Sequence, residues 1–227
     1  MNDSSYLSYP DIRIKKFTFN PLRENTYVIF SETKHGIIID PGCSSQSEQN
    51  ALKQFVVEAE IKPVMVLNTH CHFDHVFGNN FVCKEYNIKA CAHAGEEANI
   101  KRFTASAALF GHAAEQVDDP EYSLTDRQII KLGDEDIEVI HTPGHSEGSV
   151  CFYYSAQKIL ISGDTLFAGS IGRTDLPGGN YEKIVQSLKK LVLLPDDTQV
   201  FCGHAHDTYI GVEKLNNPFI IEFLDDY

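Results

Sequence analysis

The stretch that decides the fold reads Val64-Met65-Val66-Leu67-Asn68-Thr69-His70-Cys71-His72-Phe73-Asp74-His75. An apolar run of strand length ends at Leu67, and three histidines and an aspartate follow at fixed offsets. With only 10 His in 227 residues, chance does not place them so. His70 and His72 stand two apart on extended backbone and therefore point the same way, whereas Asp74 and His75 fall on the turn into a helix. Two pairs of ligands then face two adjacent metals. Imidazole with carboxylate suits zinc, manganese or iron, and no thiolate-rich site is indicated.

Working outward, three more segments put a polar ligand type after a β-type run: Ile140-His141-Thr142-Pro143-Gly144-His145, Leu160-Ile161-Ser162-Gly163-Asp164 and Val200-Phe201-Cys202-Gly203-His204. Each sets glycine immediately before the ligand, which allows a tight turn in a crowded place. Any one of them alone reads as a capping or surface residue. Four strand-end sites in one chain read as a metal centre.

Upstream, Ile12 to Phe19, Thr26 to Phe30 and Gly36 to Ile39 read as antiparallel strands around the Asn20-Pro21 turn. Leu52, Phe55, Val56 and Ala59 repeat at helical spacing between Ser44 and Glu60, before Pro63 opens the buried strand. Downstream come a helix near Phe77 to Tyr86, a strand at Ile88 to Ala92, a long helical stretch from Gly95 to Gln116 and an acidic turn at Asp118 to Glu121. Short β-type runs at Gln128 to Leu132, Ile137 to Ile140, Ser149 to Tyr154 and Lys158 to Ser162 imply a second sheet. Tyr181 to Leu194 is an amphipathic helix, Gln199 to Cys202 a last strand, and a helical end carries a Pro218 turn. Two groups of strands with helices between and outside them predict an α/β fold, a four-layer αβ/βα sandwich of two mixed sheets flanked by helices. At about 150 residues per domain, the chain is expected to form a single domain over 1–227.

On the motifs Thr69-His70-x-His72-x-Asp74-His75, Thr142-Pro143-Gly144-His145, Gly163-Asp164-Thr165 and Gly203-His204, the chain resembles the metallo-β-lactamase fold superfamily. That resemblance implies His70, His72 and His145 on a first metal, Asp74, His75 and His204 on a second, and Asp164 bridging them. Asp40, in Asp40-Pro41-Gly42, would support the site without binding metal. The run Asp164-Thr165-Leu166-Phe167 through Gly169 to Asp175 is similar to the glyoxalase II branch. There a basic residue at the place of Arg173 contacts the glutathione carboxylate, and His206 takes the place of a substrate-contacting Tyr. The chain ends soon after His204, without the C-terminal helical domain of glyoxalase II, so the compact bacterial hydroxyacylglutathione hydrolase-like proteins match better.

The resemblance implies a binuclear hydrolase with two divalent cations, zinc first and iron or manganese as alternatives. Its substrate would be S-lactoylglutathione or a similar small acyl thioester, attacked through metal-bound hydroxide with Asp74 as the catalytic carboxylate. Competing expectations on the same fold are a mononuclear iron persulfide dioxygenase, whose Gly172-Arg173-Thr174-Asp175 loop this chain also resembles, and another hydrolase such as a lactonase. A nuclease is disfavoured: 19 Lys and Arg against 32 Asp and Glu give a net charge of −13, with no basic arm to meet phosphates. A purely structural metal protein would not need both ligand triads and a bridging aspartate.

Met1 to Pro10 is polar without an apolar leader, and no run of about 18 apolar residues occurs. The expected setting is cytoplasmic, with no membrane or nucleic-acid partner and an open oligomeric state. The six cysteines read as reduced thiols, mostly buried. Cys71, flanked by ligands, alternates away from them. His35, His93 and His112 have no partner spacing, and His141 reads as hydrogen-bonded within a strand wall.

Overall fold

A computed structural model describes residues 6–224. The polar opening at residues 1–5 and the last three residues lie outside them. The chain forms two α/β units, residues 1–123 with 131–135 and residues 124–130 with 136–227.

The first unit is built on a seven-stranded sheet ordered β1 to β7 in sequence: β1 (Leu7–Ser8), β2 (Ile12–Phe19), β3 (Glu24–Ser31), β4 (His35–Ile39), β5 (Lys62–Leu67), β6 (Ala90–His93) and β7 (Glu121–Leu124). Its helices are α1 (Gln46–Glu58), α2 (Phe73–Val76), α3 (Asn79–Tyr86), α4 (Glu97–Lys101) and α5 (Phe103–Leu109). β1 to β4 pair antiparallel, and β4, β5 and β6 pair parallel. All eight residues of β3 are buried, as a strand covered on both faces requires. The crossover from β4 to β5 runs through α1, which Ser45 opens in a capping box with Glu48. Leu52, Phe55 and Val56 form its buried stripe, packed with Val28, Phe30, Ile38 and Val66. Each such side chain contributes about 1.5–3 kcal/mol. Asp40 thus follows β4 and Thr69 to His72 follow β5, at the carboxyl ends of parallel neighbours, where open α/β sheets place chemistry.

In the second unit a six-stranded sheet has the order β15-β14-β11-β10-β9-β8. Its strands are β8 (Ile129–Leu132), β9 (Glu135–His141), β10 (Val150–Tyr154), β11 (Ile159–Gly163), β14 (Gln199–Cys202) and β15 (Thr208–Tyr209). A small hairpin, β12 (Leu166–Phe167) with β13 (Ser170–Ile171), follows β11, and the helices are α6 (Tyr181–Leu191), α7 (Ile210–Asn216) and α8 (Pro218–Leu224). β9, β10 and β11 pair antiparallel, β11 and β14 parallel. The crossover helix α6 is capped by Asn180 and packs Leu188 and Leu191 with Leu160 and Val200. Asp164 and His204 leave the carboxyl ends of two adjacent parallel strands, as His70 does in the first unit.

The expected elements carrying the motifs are present, with corrections around them. The long helix from Gly95 to Gln116 is a short 3-10 turn followed by α4 and α5: Arg102 leaves helical geometry between them, and Gly111 at φ +80° stops any continuation. The acidic turn at Asp118 to Glu121 gives way to β7, whose place at the sheet edge supplies the pairing that its composition does not announce. The helix expected near Phe77 to Tyr86 is present as α3, which begins at Asn79 after a break from α2 at Gly78, where a Cβ would lie 2.4 Å from Cys43 Sγ. Pro218 opens α8 instead of turning the chain, and the Asn217 side chain accepts the Phe219 amide. Among the described residues no helix is long and apolar enough to cross a membrane.

Candidate metal centre

In the first unit His70, His72, Asp74 and His75 are gathered by the loop after β5 and the short α2. His70, Asp74 and His75 are buried, and the His70 ring lies 4.8 Å from that of His72 and 4.1 Å from that of His75. Asp40 organises them. Its Oδ1 accepts the Thr69 amide at 2.7 Å and its Oδ2 accepts the Thr69 hydroxyl at 2.5 Å. His75 Nδ1 stands 3.1 Å from the same Oδ2. A carboxylate only accepts, so His75 donates from Nδ1 and keeps a lone pair on Nε2, which lies 3.7 Å from Asp74 Oδ2. Having given its one proton to Asp40, the Thr69 hydroxyl accepts from His70 Nδ1 at 3.1 Å, which puts the lone pair of a neutral His70 ring on Nε2 in turn. Asp40, His70 and His75 bring their ligand-type atoms within 4.8 Å of one another.

Behind this cluster stand residues that the sequence did not single out. Glu24 is fully buried, and desolvation pushes its carboxyl well above the ordinary value, favouring the protonated acid. It meets Thr26 Oγ1 at 2.9 Å, which donates to the Asp40 carbonyl at 2.8 Å and accepts the Gly42 amide at 3.0 Å. The Asn20 amide donates to the carbonyls of Gly42 and Asp74 at 3.0 and 2.9 Å. Glu96, also buried, accepts the Cys71 amide at 2.6 Å and so grips the backbone between His70 and His72. Cys71 itself is buried in the apolar cluster of Phe73, Val76, Ile100 and Phe103, as its place in the alternation between His70 and His72 predicts.

The second unit gathers His145, Asp164 and His204. Asp164 Oδ2 lies 3.5 Å from His145 Nε2 and 3.6 Å from His204 Nε2. His145 donates from Nδ1 to the Arg173 carbonyl at 2.8 Å, which again leaves its Nε2 lone pair toward the carboxylate. Gly144, at φ +139°, passes so near α6 that a Cβ would meet Ile184 N at 2.3 Å. At Gly172 a Cβ would sit 1.8 Å from the Asp164 carbonyl and 2.9 Å from His145 Nδ1. Gly172→Ala is therefore expected to displace Asp164 or His145 and to cost metal retention by tenfold or more, about the lower end seen for lost supporting contacts. Dialysis followed by elemental analysis checks this, and wild-type retention would show that the loop relaxes freely.

Arg173 serves this cluster through its backbone. Its guanidinium is exposed and forked onto Asp175, with both contacts at 2.7 Å. His206 is exposed beyond His204, and His141 Nε2 meets the Glu147 carbonyl at 3.1 Å. Burial disfavours the thiolate form, pushing Cys43 and Cys202 up to about 12 and Cys151 and Cys83 to about 11.

Within each unit, imidazoles whose Nδ1 has a fixed oxygen partner stand beside a carboxylate, His70 and His75 by Asp40 and Asp74 in the first and His145 by Asp164 in the second, a donor chemistry suited to borderline divalent cations. The metallo-β-lactamase superfamily profile matches residues 19–204. The chain belongs to that superfamily. It is 34% identical over 215 residues to the probable metallo-hydrolase YqgX of Bacillus subtilis, covering 92% of this chain and 98% of the relative. It is 32% identical over 206 residues to the hydroxyacylglutathione hydrolase GloC of Haemophilus influenzae, covering 87% and 93%. The crystal structure of TTHA1623 in a di-iron-bound form superposes with a TM-score of 0.81 at 33% identity, covering 90% of this chain and 98% of that one. The fold is thus the mixed α/β metallo-β-lactamase fold with two large mixed sheets, and the chain is a metallo-hydrolase of that superfamily.

Proposed function

We propose that the two clusters act as one catalytic domain holding two divalent cations, and that the enzyme hydrolyses a small acyl thioester, S-lactoylglutathione or a close analogue, in the cytoplasm. His70, His72 and His145 would hold one ion, Asp74, His75 and His204 the other, with Asp164 shared. The observation that carries this reading is the common tautomer: His70, His75 and His145 each commit Nδ1 to a fixed acceptor and keep Nε2 for a ligand. The similarity to a hydroxyacylglutathione hydrolase supports the substrate class, and the similarity to a protein solved in a di-iron-bound form supports the pair of ions.

Two bound cations lower the pKa of water from 15.7 to about 7 and polarise a carbonyl. The chain's own residues do the rest. Asp40 and the Arg173 carbonyl hold the imidazoles in one orientation, so that no rearrangement is needed during reaction. Asp74 would orient the attacking water in line with the carbonyl carbon. A thiolate leaves with little protonation, which suits a site whose ligand histidines would not serve as general acids. Arg173 and His206, both exposed on neighbouring loops, would contact the thiol carrier.

Purified protein loaded with zinc, iron or manganese, with metal quantified on the same sample, should hydrolyse S-lactoylglutathione. Oxygen uptake with glutathione persulfide and no thioester hydrolysis would replace this reading with a persulfide dioxygenase. His206→Ala is expected to keep its metal and raise KM, whereas His204→Ala should lose metal. The reverse pattern would show that the register of the last ligand is off by two.

A further inference from the structure

We propose that Glu213 is the positioning residue of the His145–Asp164–His204 cluster, its single carboxylate tying the hairpin after Asp164 to the loop after His204. The inference rests on the reading of those three residues as ligands and adds the device that keeps them convergent.

The three come from separate stretches of chain; the sheet itself ties them where the Gly203 amide donates to the Gly163 carbonyl at 2.8 Å and where Thr208 pairs with Val200, and the Glu213 carboxylate adds a side-chain tie between the hairpin and β15. Glu213 lies on α7 and is 1% exposed. Its Oε2 accepts the Gly169 amide at 2.8 Å and its Oε1 accepts the Thr208 hydroxyl at 2.6 Å. Gly169 is the turn of the β12–β13 hairpin, at φ +69°. Thr208 opens β15, four residues after His204. Asn217, fully buried, steadies the arrangement: its amide donates to Glu213 Oε2 at 2.8 Å and to the Ser170 carbonyl at 3.0 Å.

The hairpin matters because both its ends touch the cluster. Asp164 enters it, and Gly172 and Arg173 leave it, with Gly172 packed on the Asp164 carbonyl and the Arg173 carbonyl taking His145 Nδ1. A hairpin released from Glu213 therefore loosens the bridging carboxylate and the imidazole's orientation together. A Thr208 released from Glu213 loosens the stretch carrying His204. Partners that orient ligands commonly govern metal affinity by about 10–100-fold.

The test compares zinc affinity by chelator competition, thermal midpoint and amide exchange in Glu213→Ala, Glu213→Gln and Thr208→Val, beside the core-cavity variant Leu52→Ala. Glu213→Ala should bind zinc about 10–100-fold more weakly. Glu213→Gln should stay close to wild type, because the amide oxygen still accepts Gly169 and Asn217 while its N–H donates to a Thr208 hydroxyl turned acceptor. Thr208→Val, which cuts one arm only, should fall between and decides the matter if Glu213→Ala does not fold. Leu52→Ala should lower the midpoint and leave zinc affinity alone. If Glu213→Ala lowers only the midpoint, or if Glu213→Gln binds as weakly as Glu213→Ala, the proposal is overturned. Should the wild-type protein bind no zinc, iron or manganese, the ligand reading fails by itself. Exchange in the metal-free protein still tests the tie: Glu213→Ala must deprotect residues 166–171 and 203–208 together, and unchanged protection refutes it.

Discussion

Asp164→Ala is expected to hold neither cation tightly and to turn over no thioester. The carboxylate faces two Nε2 atoms, His145 at 3.5 Å and His204 at 3.6 Å. In the proposed centre those imidazoles belong to different ions, so a single deletion strips an anionic ligand from both. The loss in retention should exceed the ~10–100-fold typical of partners that only orient ligands. Elemental analysis after gel filtration decides it: two equivalents of tightly held metal in the Asp164→Ala protein would mean that another group bridges.

Nearly as large an effect is expected from Asp40, which touches no cation in this reading. Asp40→Ala leaves the Thr69 amide, the Thr69 hydroxyl and His75 Nδ1 without their acceptor in a buried place. Orphaning one such donor costs about 1–3 kcal/mol, so a marked drop in thermal midpoint should accompany weaker metal binding. Asp40→Asn separates the two effects. With its oxygen toward the Thr69 amide, its N–H group faces His75 Nδ1 and drives the imidazole proton to Nε2, the atom meant for metal. Flipped, it sets N–H against the Thr69 N–H. The Asn protein should therefore fold but bind metal about 10–100-fold more weakly. Full metal affinity in folded Asp40→Asn, measured by chelator competition, would sink the tautomer argument.

What was legible in the sequence has a common cause. Ligand types after strands carry a local signature, an apolar run followed by His or Asp next to glycine, and backbone alternation says which of them share a side. That is why His70 with His72, and the burial of Cys71 between them, were readable before any coordinates. Glu24, Glu96 and Glu213 had no such signature. Each is one acid among 32 Asp and Glu, and for Glu96 and Glu213 the partner that matters is a backbone amide far along the chain, Cys71 N and Gly169 N, while the Glu24 carboxyl meets an ordinary threonine two residues on. Such pairing leaves no spacing to read. The helix expected from Gly95 to Gln116 erred for a related reason. Ala105, Ala107, Ala108, Ala113 and Ala114 favour helix locally, but propensity is a weak prior that Gly111 and the surrounding packing override. β7 was missed because its strand character comes from its neighbour in the sheet.

The fate of the sulfur atoms follows from where the fold puts them. Cys43, Cys71, Cys151 and Cys202 are buried, while Cys83 and Cys91 are half-covered, and burial raises all six thiols above their ordinary range. The first rung of sulfur oxidation needs an accessible thiolate, and the four buried groups supply neither access nor charge. Peroxide or an alkylating label meeting the folded protein is thus confined to Cys83 and Cys91. A cysteine introduced beside the substrate loops would then report on them against a background of two slow thiols, with no need to strip the native ones away.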